Sequence, residues 1–294
     1  MCSWAPGVAA LLLALTFMPA GLQSSNSADL EYSLKLKYAG KNVALRNFYQ
    51  GDQLDYDPQG NFVEGGAPGT WTLDGNATLI DLKLRSGRLE IAADRVVLGF
   101  SYRQKKLYRL PDKPLEIVVH LGGSALPALE DLQQIVERVF VVDTGRVSYD
   151  VPLYWKLIMD SEAWDQYAKH PKRRPADLCQ TPVLGSLDGT PVYCVNAKPD
   201  DEATQPVERL FPYYPQKAQL DRLQGTVLLA VVVGRNGAVR DVLRVGDPLG
   251  DGLDQSSINT VRRWKYHPLT RDGVAINVLL PVPIKFSVSG RYSP

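Results

Sequence analysis

The stretch "RLFPYYPQKAQLDRLQGTVLLAVVVGRNGAV", residues 209–239, decides how the chain is read. A proline- and tyrosine-rich lead-in runs into "PQKAQLDRL", which has the composition of a short helix. Gly225 and Thr226 then open seven consecutive apolar residues, Val227–Val233. Gly234-Arg235-Asn236-Gly237 closes the run, and Asn-Gly takes up the positive φ of a tight hairpin turn. Side chains of a strand alternate between its faces, so an unbroken apolar run implies burial on both sides. Val227, Leu229, Val231 and Val233 make one face; Leu228, Ala230 and Val232 make the other. Helices can cover only one face of a small sheet. The second face is therefore predicted to pack on the N-terminal region, on another copy or on a partner.

Downstream, "AVRDVLRV" (238–245) reads as the return strand. "DPLGDGLDQSSINTVRRWKYHP" (247–268) reads as a helix with Asp251 or Asp254 as its cap. Its inward stripe is Leu253, Ser257, Ile258, Val261 and Trp264, and Pro268 stops it. "AINVLLPVPIKFSV" (275–288) is the last strand. The order is α-β-β-α-β around a three-stranded antiparallel sheet. In the last strand Ile276, Val278, Leu280, Val282, Ile284 and Phe286 share the core parity, and Pro281 and Pro283 share the other. Two missing N–H groups on one lateral edge predict an edge strand with that side facing out, blunted near 281–283. Ala275, Asn277 and Leu279 keep their outward donors and are the candidate residues for pairing with an added strand. Tyr213 and Tyr214 are further partner-binding candidates as an aromatic platform with Trp264; the alternative is that they pack the lead-in against the sheet.

At these residues the chain resembles the C-terminal domain of TonB-family energy transducers. The resemblance rests on Tyr214-Pro215, Ala218, Gly225-Thr226-Val227, Asn236-Gly237, Leu253-Asp254, Arg263-Trp264-Lys265-Tyr266-His267-Pro268, Gly273 and Pro283-Ile284-Lys285-Phe286, in that order over residues 206–288. It implies a bacterial envelope protein that couples an inner-membrane proton-driven motor to outer-membrane receptors. It also implies contact with a short receptor segment by strand addition. The chain departs from a complete transducer in lacking a long Pro-rich spacer and in carrying an unrelated N-terminal β-rich region. A family member on this plan could bind without energising anything, so an exported binding or scaffolding module is the alternative function.

Residues 1–28 read as a signal peptide or an N-terminal anchor. "GVAALLLALTFMPAGL" has the length of a signal-peptide apolar core, although no Lys or Arg precedes it. Export would place the protein in the periplasm, free or anchored to the inner membrane. Cys179 and Cys194 are then an isolated pair in an oxidising compartment, which favours a disulfide around the hairpin-like "QTPVLGSLDGTPVY". If the two cysteines are directly opposed, the loop centres between Ser186 and Leu187.

The remaining N-terminal chain reads in segments, and the whole is α+β. Residues 29–122 are predicted to form a β-rich domain, sandwich- or barrel-like. "LEYSLKLKY" (30–38) alternates with period two and reads as its first strand. Residues 123–178 form a helical segment: Leu129, Leu132, Val136 and Val139 recur at helical spacing, and "LYWKLIMDSEAWDQYA" (153–168) is a second helical stretch. Residues 179–205 make the disulfide hairpin and a polar hinge, and 206–294 the terminal domain. Residues 206–294 hold 12 Lys and Arg against 7 Asp and Glu, while the full chain has a net charge of only +1. A basic tract, "KHPKRRPAD", lacks interleaved aromatic residues and reads as a linker, so no nucleic-acid partner is expected. Gly-x-Ser-x-Gly elbows, phosphate loops and metal-ligand spacings are missing from the sequence, and the three histidines are scattered. No enzyme, metal or cofactor is expected.

Overall fold

The structure, a computed structural model, describes residues 27–123, 126–142, 151–196 and 202–287. Most of the targeting segment, together with Ser124, Asp200 and Asp201, lies outside the described residues. Helix α1 (Ser27–Tyr38) leads into β1 (Asn42–Leu45), β2 (Gln53–Tyr56), β3 (Phe62–Glu64), β4 (Asn76–Arg85), β5 (Arg88–Ser101) and β6 (Lys106–His120). Then come α2 (Leu129–Val139), β7 (Phe140–Val142), α3 (Leu153–Met159), α4 (Glu162–Lys169), β8 (Val183–Leu187) and β9 (Thr190–Cys194). The C-terminal part holds β10 (Pro206–Glu208), α5 (Gln216–Leu220), β11 (Gly225–Val233), β12 (Val239–Val245), α6 (Leu253–Val261), β13 (Lys265–Tyr266), β14 (Thr270–Arg271), β15 (Val274–Ala275) and β16 (Asn277–Phe286).

The first expected strand is a helix. Leu30, Leu34 and Tyr38 are buried, while Tyr32 and Leu36 are 69% and 75% exposed. A spacing of four fits both a strand of period two and one face of a helix. Tyr32 and Leu36 decide between them, because a strand would have turned both toward the core. Glu31 caps β4 from this helix, its Oε1 accepting the Leu84 N–H at 2.8 Å.

One face of β4, β5 and β6 is covered by helices, where a sandwich- or barrel-like arrangement of strands had been expected. Leu30, Leu34 and Tyr38 of α1 and Leu132, Ile135 and Val136 of α2 share a core with Leu82, Ile91 and Ile117. The second helical stretch divides in two, and Ser161 caps α4 by accepting the Trp164 N–H.

The sheet does not stop at the expected domain boundaries. Its strands run in the order β3-β2-β6-β5-β12-β11-β16-β9-β8. Strand β12 pairs antiparallel with β11, and β11 antiparallel with β16, over nine registered positions in the second case. These three strands sit in the middle of the sheet. On one side β5 joins β12 in parallel, with Arg244 opposite Gly99 and Val245 opposite Phe100.

Both faces of β11 are dry. Val227, Leu229, Val231 and Val233 pack with Leu253, Ile258, Val261 and Trp264 around α6, and with the core parity of β16. Leu228, Ala230 and Val232 pack with Leu98, Trp155, Trp164 and Leu279. The second cover expected for this strand is therefore the N-terminal part of the same chain. Burial of this kind is worth roughly 25 cal/mol per Å² of apolar area, which makes β11 the centre of the fold.

Candidate partner-binding site

Strand β16 was expected to leave one lateral edge free. In the structure β9 occupies that edge in parallel over Asn277, Val278 and Leu279, opposite Val192, Tyr193 and Cys194. The Val195 N–H extends the seam by donating to the Leu279 carbonyl at 3.2 Å. Backbone groups of one residue point to one side, so the 277/279 parity does face away from β11; the edge is simply taken. The pairing stops short of Pro281, the first residue that could offer no donor. A parallel strand contributed from some eighty-five residues upstream leaves no local mark in the sequence of β16, which is why the free edge was expected.

Ala275 is separate from this edge. It belongs to β15 and pairs with Thr270 of β14 in a small hairpin turned by Asp272 and Gly273, whose φ values are 54° and 78°. The Asn277 side chain is 4% exposed, with Oδ1 accepting the Arg235 N–H at 3.2 Å and Nδ2 directed to the Thr190 carbonyl at 3.4 Å. It stitches the β11–β12 turn to the β8–β9 turn. Leu279 is buried among Trp164, Leu184 and Val192.

The tyrosines divide as well. Tyr214 packs edge-on against Phe286 at 5.4 Å between ring centres, and its hydroxyl donates to the Leu223 carbonyl. Trp264 donates from Nε1 to the Leu210 carbonyl at 2.8 Å, and Arg209 lies over its ring. These contacts pin the lead-in to the sheet and form no shared platform. Tyr213 is 67% exposed and holds α6 through its carbonyl, which accepts the Ser256 hydroxyl.

The disulfide between Cys179 and Cys194 is present, with Cα atoms 5.4 Å apart. The hairpin turn falls two residues later than opposed cysteines require. Leu187 pairs with Thr190, and Asp188 and Gly189 make the turn at φ 50° and 73°. Asp-Gly accepts positive φ cheaply, so the turn chemistry overrides the symmetry of the cysteines. A bulge between Val183 and Gly185 takes up one residue of the mismatch, and Cys179 reaches Cys194 from beyond the end of β8.

Three buried polar arrangements around this sheet have no periodic or motif signature. Asp241 of β12 is fully buried and accepts from Tyr154 Oη at 3.0 Å, Trp155 Nε1 at 2.9 Å and the Thr72 hydroxyl. Burial holds its carboxyl above the usual range, and the donors partly offset this. On the other face, Arg244 Nε meets Asp254 Oδ1 at 2.7 Å, both nearly inaccessible. Asp254 also accepts the Gly250 N–H at 2.8 Å, although the N-cap position of α6 is Gly252 and neither candidate aspartate. Asp112 of β6, finally, takes Arg262 Nη1 at 3.0 Å and Gln255 Nε2 at 3.0 Å from α6. Together they tie α3, β6 and the loop before β4 to β12 and α6.

Among the described residues there is no cluster of three or more His, Cys, Asp or Glu suited to a metal ion, and no helix long and apolar enough to cross a membrane.

Residues 211–288 match the family described as the Gram-negative bacterial TonB protein C-terminal. Protein TonB of Vibrio cholerae serotype O1 is 28% identical over 79 residues, which cover 27% of this chain and 32% of that protein. Protein tonB2 of Pseudomonas aeruginosa is 32% identical over 78 residues, covering 26% of this chain and 29% of that one. The chain thus aligns with about a third of the length of these curated relatives, and the likeness covers the terminal segment alone.

Proposed function

We infer that the protein is a non-enzymatic, TonB-like component of the bacterial cell envelope, and that it acts in transport across the outer membrane. Its C-terminal sheet would engage a short receptor segment by strand addition along Asn277–Leu279. The observation that carries this reading is the parallel pairing of β9 there: the edge of a TonB-type sheet accepts an extended strand, with a buried apolar seat for the side chain of Val192. In this structure the accepted strand is the chain's own. A receptor segment would have to replace it. Coupling to an inner-membrane motor would further require an anchor.

A second reading is favoured by the same geometry. Both lateral edges of β12-β11-β16 are occupied by the chain itself, one by β5 and one by β9. On that reading the TonB-type domain serves as the framework of an envelope scaffolding module, and its strand-accepting edge is permanently filled.

The two readings differ in one binding experiment. Peptides copying the periplasm-facing segments of outer-membrane receptors are titrated onto the isotope-labelled whole chain. The transport reading expects amide shifts at Asn277 and Leu279 and loss of the β9 contacts. Absence of saturable shifts there, with the disulfide either oxidised or reduced, overturns it in favour of the scaffold. Mass spectrometry of the mature amino terminus then separates an anchored protein from a free periplasmic one.

A further inference from the structure

We propose that the β8–β9 hairpin is a displaceable occupant of the strand-accepting edge and that the Cys179–Cys194 disulfide is its latch. Reduction opens the edge to an extended segment running parallel to β16. This rests on the strand-addition reading above for the identity of the partner, but the latch itself stands on the geometry of the hairpin.

Four features together make the hairpin separable from β16. Its seam with β16 is short, three registered positions against nine between β11 and β16. Its two backbone ladders are separable: the Val195 N–H faces β16, while the Cys194 N–H faces β8 and donates to Pro182. Its flank is not closed over, for an open cleft of about 180 Å³ lies beside the disulfide, between the hairpin and the α3–α4 turn, lined by Leu157, Ser161, Trp164, Leu178 and Leu184. Its covalent tie closes on β9 itself, joining Cys194 to Cys179 just ahead of β8. Both cysteines are half-buried, within reach of a reductant.

The opposite edge is shorter still in backbone pairing, with two registered positions, but it is held differently. The β5–β12 junction is flanked by buried side chains on both faces and has no covalent tie.

Opening is a two-electron step driven by a dithiol reductant. One of its thiolates attacks a sulfur of the pair, the Cys179–Cys194 bond breaks, and the released cysteine takes up a proton. The reductant's second thiol then attacks the mixed disulfide, freeing the other cysteine and leaving the reductant oxidised. The replacing segment must be extended, run parallel to β16 and place an apolar side chain where Val192 is fully buried.

The test uses the whole chain. Amide exchange is followed at Asn277, Leu279 and Val195, before and after reduction by a small dithiol, with Leu229 and Val231 of β11 as reference. Seam exchange is expected to accelerate about 100-fold, the weight of releasing a loop of this length, with the β11 amides unchanged. A fluorescent peptide of residues 190–196 carrying C194S is expected to bind saturably to the reduced chain and not to the oxidised one. A second variant, Y193P, removes the N–H that by parity faces β16 and should admit the peptide with the disulfide intact. Unchanged seam exchange, equal peptide binding in both redox states, or acceleration of all amides together overturns the latch. If the seam opens and takes the self-peptide while receptor peptides never bind, the latch stands and the transport reading falls.

Discussion

The two lateral edges of the C-terminal sheet are both covered by the chain itself, yet by different means. At the β12 edge, β5 contributes only two registered positions, and side chains hold the junction. Trp155 and Tyr154 of α3 reach Asp241 on one face, while on the other the Arg244–Asp254 pair fixes β12 to α6 within the C-terminal part. At the β16 edge, β9 contributes three positions, and a hairpin with a covalent tie holds them. The number of strand pairs alone would rank the β16 edge as the firmer one. Buried side chains reverse the ranking, because apolar burial and desolvated polar pairs outweigh a single exchanged hydrogen bond, which nets about 1 kcal/mol. The β12 edge is thus part of the core, and the β16 edge is a cover.

That contrast is broken most severely by removing both covers. A fragment of residues 206–294 keeps the family-like segment but loses β5, α3, α4 and β9. Leu228, Ala230, Val232, Leu243 and Leu279 then face water together. The fragment is expected to bind a hydrophobic dye strongly and to self-associate in analytical ultracentrifugation. A soluble, dye-free monomer would show that the N-terminal part is a separate body and that the comparison of edges has no energetic content.

A single substitution sharpens it at the β12 edge. Arg244 is 4% exposed, and Asp254 is its charge partner. Asp254→Ala leaves the guanidinium buried with only the Val245 and Asp247 carbonyls to face. Stranding one member of a buried pair costs about 3–5 kcal/mol, so the urea midpoint should fall sharply. A loss below about 1 kcal/mol would mean that water reaches the site and that β12 is fixed to α6 by apolar contacts alone.

The C-terminal half of this architecture was legible in the sequence because its signals are local. The unbroken run Val227–Val233, the Asn236-Gly237 turn and the Pro281/Pro283 parity each specify their own element. The matched family segment begins at Phe211, close to where those signals begin. What could not be read was who supplies the strands on either side. Gly99 beside Arg244, and Val192 beside Asn277, are contacts between distant segments in parallel, and no turn chemistry announces a parallel neighbour. The same holds for Asp241, the one carboxylate of β12, whose donors come from α3 and from Thr72. The misread α1 is a different failure. Leu30, Leu34 and Tyr38 satisfy two periods at once, and only the exposure of Tyr32 and Leu36 separates them.

The smallest expected effect lies where the N-terminal part reaches α6 rather than the sheet. Arg262 Nη1 sits 3.0 Å from Asp112 Oδ2, with the arginine side chain 25% exposed and the aspartate 1%. Gln255 holds the other carboxylate oxygen. Arg262→Ala therefore leaves Asp112 buried but not orphaned, and the arginine's partial solvation lowers what the pair can contribute. A loss of about 1–2 kcal/mol is expected, less than for Asp254→Ala because one donor survives. A double-mutant cycle with Asp112→Ala isolates the pair, and a coupling of about 0.5–1.5 kcal/mol is expected from unfolding midpoints. Coupling indistinguishable from zero would confine the ties between the two parts of the chain to the sheet and the donors around Asp241. Coupling as large as that between Arg244 and Asp254 would make α6, and not the sheet edge, the principal clamp.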